Sequence, residues 1–253
     1  MNISIVQTNL YWGSVEKNLS NIGNQINAIS NTDLILLPEL FNTSFSPTFI
    51  HLAEGMDGRT VSWMKEIAHK KECAIAGSLI IAEKKKYYNR LIWISKNGEV
   101  FHYDKRHLFS LIKENEFISS GRDRLILDFE GWKICPLICY DLRFPVFCRN
   151  NIDYDMLIYL ANWPIKRIDA WDTLLKARAI ENQCYTIGVN RIGEDGNGVS
   201  FNGHSQVHDA FGNALVVLEN EQNVFQIEIF LDDLRLKRRQ MNFLKDRDHF
   251  TLE

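Results

Sequence analysis

Nowhere in the chain do about 18 apolar residues run together, the length a membrane-crossing helix requires, so we expect no membrane span. Nor is there a block of basic residues. The 29 lysines and arginines and 32 aspartates and glutamates are spread along the sequence and leave a net charge of −3, so nucleic acid is not an expected partner. The run Lys84-Lys85-Lys86 reads as a solvated turn. Cysteine is sparse. Five thiols in 253 residues, an odd number without the spacing of a small disulfide scaffold, read as reduced side chains in a cytosol-like compartment, and we expect a cytoplasmic protein. Proline-rich, repetitive and low-complexity stretches are also missing, so residues 1–253 read as one domain with a C-terminal helix and tail from Asp232. The chain opens directly on an alternating apolar pattern at Ile3 and Ile5, and no signal peptide is expected.

What is present is hydrophobic periodicity of two kinds. Ser14 stands as an N-cap before Val15, Leu19, Ile22, Ile26 and Ile29, whose spacings of three and four make one buried helix face. Thr60 is expected to cap a second helix with Val61, Met64, Ile67 and Ala68 inward, and Asp169 a third carrying Trp171, Leu174, Leu175 and Ala179. Between them lie short apolar strands at 34–37, 74–80, 91–95, 100–103, 125–128, 133–138, 156–160 and 184–189, and strand-like stretches near 206–208, 214–218 and 224–229. Residues 40–58 and the glycine-rich 193–203 read as irregular loops. Asn97-Gly98 and Gly212-Asn213 signal tight turns, so the sheet cannot be wholly parallel. About ten strands interleaved with helices predict an α/β fold with two stacked mixed sheets between helix layers.

The stretch Lys133-Ile-Cys-Pro-Leu-Ile-Cys139-Tyr140-Asp141-Leu-Arg143 runs apolar into a single thiol and then turns polar. Strand ends are where layered α/β folds bind ligands, so Cys139 is presented at a candidate site. Glu39 follows Pro38 at the end of one strand and Lys105 follows another, the same layout twice more. These three side chains have complementary chemistry: a thiol nucleophile, a carboxylate to take its proton, and an ammonium to favour thiolate or hold an oxyanion together with the Tyr140 N–H. Glu114 could pair with Lys105 or position substrate and water. The competing reading is a surface glutamate, a solvated lysine and a packed cysteine, and spacing alone does not separate the two. A zinc site at Cys135 and Cys139 is excluded, because strand residues four apart lie about 13 Å from one another. His102, His107, His204 and His208 have no evident partner in the sequence.

Three segments carry a resemblance: Leu-Pro-Glu39-Leu-Phe, Tyr-Asp-Lys105-Arg-His-Leu-Phe and Cys139-Tyr-Asp-Leu-Arg-Phe-Pro. In this order they resemble the signature segments of the nitrilase superfamily, the carbon–nitrogen hydrolases. Arg178-Ala-Ile-Glu-Asn182 and Gly203-His-Ser-Gln-Val207 resemble later segments of that family, and Tyr-Leu-Ala-Asn-Trp-Pro164 points to its omega-amidase branch. The resemblance implies a four-layer α-β-β-α sandwich, a homodimer formed through outer helices, Cys139 as nucleophile, Glu39 as general base, Lys105 as oxyanion stabiliser and Glu114 as a second glutamate beside it. It implies no metal and no organic cofactor. The substrate would be a small-molecule omega-amide of a dicarboxylate, hydrolysed to acid and ammonia through a thioester. Nitrile or carbamoylamide hydrolysis and a non-catalytic scaffold are the alternatives. Phe41, Phe45, Arg143 and Trp163 are candidates to bind the substrate's far end; Arg143 could instead pair with Asp141, and Trp163 could simply pack. One departure is Val146, where many relatives carry an acidic residue.

Overall fold

Strict alternation on both faces decides the architecture. The computed structural model describes residues 1–252. In β1 (Asn2–Gln7), Ile3 and Ile5 face one way and Val6 the other. In β2 (Leu34–Leu36), Leu34 and Leu36 oppose Ile35. The pattern continues through β3 (Ala74–Glu83) and β4 (Lys86–Ile94), where Ala74, Ala76, Leu91 and Trp93 oppose Ile75, Leu79, Ile92 and Ile94. A sheet apolar on both faces must be covered on both. One face takes α1 (Val15–Asn27) through Leu19, Ile22 and Ile26, and α2 (Arg59–Lys71) through Val61, Met64 and Ala68. The other packs on a second sheet.

β5 (Val100–Asp104) completes the edge of the first sheet. After the short α3 (Glu114–Phe117) come β6 (Leu127–Phe129), β7 (Trp132–Ile138), α4 (Pro145–Cys148), β8 (Met156–Ala161), α5 (Ile168–Asn182) and β9 (Tyr185–Asn190). A two-stranded hairpin, β10 (Ile192–Glu194) with β11 (Ser200–Asn202), precedes β12 (Gln206–His208), β13 (Ala214–Val217), β14 (Asn223–Glu228) and α6 (Leu231–Gln240). The first sheet has the order β14-β1-β2-β3-β4-β5 and the second β13-β12-β9-β8-β7-β6. Each has three parallel strands at its centre, β1-β2-β3 and β9-β8-β7, flanked by antiparallel ones. Trp171 and Leu175 of α5 and Leu234 of α6 are buried in the core built on the second sheet, which gives the helix–sheet–sheet–helix stack expected. Among the described residues no helix is long and apolar enough to cross a membrane.

Several local expectations need correction. α2 begins at Arg59 after Gly58, and Thr60 lies inside it; the Glu54 carboxylate accepts from the Thr60 N–H and hydroxyl and satisfies that helix end instead. α5 likewise starts before Asp169, whose charge then sits in the first turn, where the helix dipole favours it. Residues 193–203 fold back as the β10–β11 hairpin, and the loop at 40–58 contains a 3-10 helix, Pro47–Leu52. β3 and β4 are longer than their apolar runs because Lys84 and Lys85 both adopt positive φ, +50° and +64°, which closes a tight hairpin.

At Gly188 of β9 the side chains of α5 press close on the sheet: a β-carbon there would lie 2.4 Å from Leu175 Cδ1 and 2.6 Å from Trp171 Cζ2. Gly188→Ala should therefore overpack this layer, costing about 1–3 kcal/mol and lowering the thermal midpoint by several degrees. A calorimetric midpoint equal to the parent's would show that α5 can lift off the sheet freely.

Candidate active site

Glu39, Lys105 and Cys139 each follow the end of a strand, and Glu114 opens α3. Beyond β2 the Leu37 N–H still pairs with the Ala76 carbonyl at 2.8 Å, and Pro38 stops the ladder. Leu40, at φ +44°, turns the chain, with its N–H on Ser78 Oγ at 2.8 Å, so that Glu39 is presented just beyond the C-terminal end of β2. Lys105 follows β5, its N–H on the Asn89 carbonyl at 2.9 Å. β7 ends at Ile138, and Cys139 adopts φ +43° before the 3-10 turn Cys139–Arg143. Positive φ is uncommon for a residue with a β-carbon and marks a conformation imposed by its surroundings.

The four expected residues meet. Lys105 Nζ lies 2.9 Å from Glu39 Oε1 and 3.0 Å from Glu114 Oε2, and all three side chains are about 1% exposed. Further donors complete the cluster. Asn89 Nδ2 donates to Glu39 Oε1 at 2.8 Å, the Asn162 N–H to Glu39 Oε2 at 2.9 Å, and the Phe109 N–H to Glu114 Oε2 at 2.6 Å. The Phe45 ring centroid lies 5.2 Å from the ammonium. Burial works against charge on Lys105, but Glu114 and Glu39 together outweigh it and hold the ammonium well above its ordinary range. Burial raises Glu114 against the pull of Lys105, and the charge of Glu39 adds to the rise.

Cys139 sits beside this cluster and is only half-buried, whereas Cys73, Cys135, Cys148 and Cys184 are sealed in the core. Burial and, next, the Glu39 charge push its thiol well above the ordinary value, and Lys105 pulls it down by less. Lys105 thus favours the thiolate as expected, but burial and the Glu39 charge outweigh it, which leaves a base to take the proton as the sulfur attacks.

The sulfur opens onto a cavity of about 1080 Å³ lined by Phe45, Tyr140, Arg143, Trp163 and one side of the β10–β11 hairpin, with Glu39 and Lys105 in its wall. Arg143 stacks on the Trp163 ring at 4.8 Å and, among the described residues, makes no ion pair. Its expected pairing with Asp141 does not occur, because Asp141 is occupied by Tyr103, His107 and the Ile138 N–H. Trp163 both packs and lines the cavity, its Nε1–H donating to the Arg167 carbonyl at 2.8 Å. Phe41 does not reach the cavity. The turn at Leu40 drives it into the outer core, against Trp63 and so near Gly77 that a β-carbon there would lie 2.6 Å away. Val146 is 60% exposed on α4, away from the cluster. Three of the four histidines singled out in the sequence have partners: His107 with Asp141, His204 with Asp172 and His208 with Gln206.

Two contributors escaped the sequence reading. Asn89 lies in the polar half of β4, ahead of the apolar run that begins at Leu91; the signal available was an asparagine two residues before a strand-length apolar run. Asn162 orients Glu39 through its backbone N–H and also donates from its side chain to the Glu39 carbonyl at 2.5 Å.

Residues 2–239 match the family model described as carbon-nitrogen hydrolase. The chain is 38% identical to omega-amidase YafV of Escherichia coli (strain B / BL21-DE3) over all of its length and 98% of that protein. It is 33% identical to the 2-oxoglutaramate amidase of Bacillus subtilis over 91% of each. The crystal structure of XC1258 from Xanthomonas campestris, a CN-hydrolase superfamily protein with an arsenic adduct in its active site, superposes with a TM-score of 0.98 at 39% identity, covering 100% of this chain and 99% of that one.

Because the Glu39 charge helps hold the thiol up while Lys105 opposes it, Glu39→Gln should lower the Cys139 pKa. Iodoacetamide labelling with peptide mapping should place the adduct on Cys139 and show the inflection of its pH–rate profile at lower pH in Glu39→Gln than in the parent chain. An unmoved inflection would mean that the sulfur does not feel this carboxylate, and an adduct on Cys73 or Cys184 would move the site elsewhere.

Proposed function

The chain belongs to the carbon–nitrogen hydrolase family, and from that premise we propose that it is an omega-amidase, hydrolysing the terminal amide of small dicarboxylate omega-amides such as 2-oxoglutaramate or 2-oxosuccinamate. The observation that carries this reading is a half-buried thiol beside an oriented carboxylate and a buried lysine held between two glutamates, under a cavity lined by a guanidinium that, among the described residues, makes no ion pair. Outside the ion cluster, Lys113, Arg143, Lys166 and Arg167 line the cavity against the single acid Asp195. That charge balance suits a substrate whose far end is a carboxylate. Relatives named omega-amidase and 2-oxoglutaramate amidase support the same class.

In this mechanism Cys139 Sγ attacks the amide carbon and its proton passes to Glu39, which Asn89 and the Asn162 N–H hold in one orientation. Lys105 Nζ and the Tyr140 N–H receive the oxyanion. Their charge and dipole are in place beforehand, so no reorganisation is needed at the transition state. Glu39 returns the proton to the leaving nitrogen, ammonia departs, and a thioester remains. Glu39 then deprotonates water, which attacks the thioester; the tetrahedral intermediate collapses, the acid leaves and the thiol is restored. Glu114 acts on Lys105, keeping the ammonium charged and aimed. Arg143, stacked on Trp163, takes the distal carboxylate, and Phe45 walls the cavity beside the lysine.

We also propose that two copies pair through the outer helices of the second sheet. Ile180 on α5, Leu236 on α6 and Phe230 and Met241 at the two ends of α6 are between 40% and 56% exposed there. Light scattering of the purified chain should give twice the monomer mass, and a monomer at micromolar concentration would refute the pairing.

An ammonia-release assay over omega-amides, nitriles and ureido compounds decides the reaction class. We expect turnover of the omega-amides, complete loss in Cys139→Ala, and a thioester adduct on Cys139 in intact-protein mass spectra after a short reaction. Preferred turnover of nitriles, or carbon dioxide released from ureido substrates, would reassign it. Arg143→Met should raise KM for a 2-oxo acid amide about 10- to 100-fold, the worth of one hydrogen bond to a charged group, with a much smaller change in kcat. An unchanged KM would remove Arg143 as the carboxylate clamp.

A further inference from the structure

The carboxylate of Asp141 is fully buried, and it is not used by the mechanism above. Its four hydrogen bonds divide between two segments. Oδ2 accepts from the Ile138 N–H at 3.0 Å and the Tyr103 hydroxyl at 2.7 Å, while Oδ1 accepts from the His107 N–H at 3.1 Å and lies 2.8 Å from His107 Nδ1. A carboxylate only accepts, so Nδ1 is the protonated nitrogen of that imidazole. Tyr103 and His107 lie two residues before and two after Lys105; Ile138 immediately precedes Cys139, and Asp141 lies two beyond it. One buried carboxylate thus joins the loop that carries the ammonium to the turn that carries the sulfur. The His107 ring is stacked on Phe144 of the same turn, with centroids 3.7 Å apart and planes within 6°, which fixes the second contact against rotation. The Tyr103 hydroxyl also accepts from the Arg106 N–H at 3.0 Å, tying the loop to itself.

We propose that Asp141, with His107 and Tyr103, is a positioning device that sets the Lys105 ammonium against the Cys139 sulfur. None of the three lines the cavity, so they act through Lys105 and Cys139 and not on substrate. The conformation at Cys139 needs such a restraint. At φ +43° the turn would relax if its hydrogen-bond partner were lost, and sulfur and ammonium would drift apart. The device rests on the reading of Cys139 as nucleophile and Lys105 as its cationic neighbour.

His107 is 19% exposed and the most accessible of the three, so it is the residue to vary. His107→Ala should reduce kcat for 2-oxoglutaramate about 100-fold while KM stays within about threefold, and His107→Asn, which restores a short donor, should recover to within about tenfold of the parent. Tyr103→Phe keeps the ring, removes one of the four bonds and serves as the second variant, with a smaller loss of the same kind. A readout free of substrate is the pH inflection of Cys139 alkylation by iodoacetamide. Because Lys105 draws the thiol pKa down, displacing it in His107→Ala should move the inflection up, and in a Lys105→Met background the same substitution should move it no further. A kcat within twofold of the parent in both variants, or an alkylation shift that persists without Lys105, overturns the proposal. If no omega-amide is turned over by the parent chain, the functional reading fails while the alkylation cycle still decides this one.

Discussion

One ammonium between two carboxylates, all three withdrawn from water, is the constraint that the rest of the molecule answers to. Lys105, Glu39 and Glu114 are each about 1% exposed. Breaking a buried ion pair by removing one partner costs about 3–5 kcal/mol, because an uncompensated charge remains behind. The cluster is therefore tolerable only where every carboxylate oxygen finds a donor. Those donors come from places far apart in the chain: Asn89 on β4, the Asn162 N–H beyond β8, and the Phe109 N–H in the loop before α3. Loss of any one leaves charge unsatisfied in a medium that cannot solvate it, so the ends of β2, β5 and β8 are held to one arrangement.

The architecture supplies those ends. Each six-stranded sheet carries three parallel strands at its centre. Glu39 comes from beyond a central strand of the first sheet, Cys139 and Asn162 from beyond two strands of the second. The hydrogen bonds from Asn162 to Glu39 cross from one sheet to the other. The cavity opens where the strand ends of the two sheets meet, so neither sheet alone contains it. Packing between the sheets, through residues such as Ile5, Leu36 and Trp93, therefore sets the distance between a base on one side and a sulfur on the other.

Legibility followed burial pattern. Period-two alternation in β1 through β4 and period-3.6 stripes in α1 and α2 were readable because a side chain's face is determined by its own neighbours in sequence. Glu39, Lys105 and Cys139 stood out for the same reason: each interrupts an apolar run at a strand end. Phe41 was misread because proximity to Glu39 in sequence says nothing about the left-handed turn at Leu40 that sends it to the opposite side of the sheet. Arg143 and Asp141 looked like partners because they are two residues apart. The fold instead gives Asp141 to His107 and Tyr103, and Arg143 to the face of Trp163. Asn89 was invisible because its half of β4 has no apolar signature, being held by pairing with Ile80 of β3.

By itself the amino-acid order determined the layers, the strand ends and the kinds of chemistry placed there, since those depend on local periodicity and on which polar residue terminates each strand. The tertiary structure alone decided that a carboxylate, an ammonium and a thiol separated by up to 100 residues share one cavity, which asparagines orient them, and that burial and the Glu39 charge push the thiol pKa up. The reason is physical. Hydrogen-bond geometry and desolvation act through space over a few ångströms, and no local pattern records which distant segments will come that near.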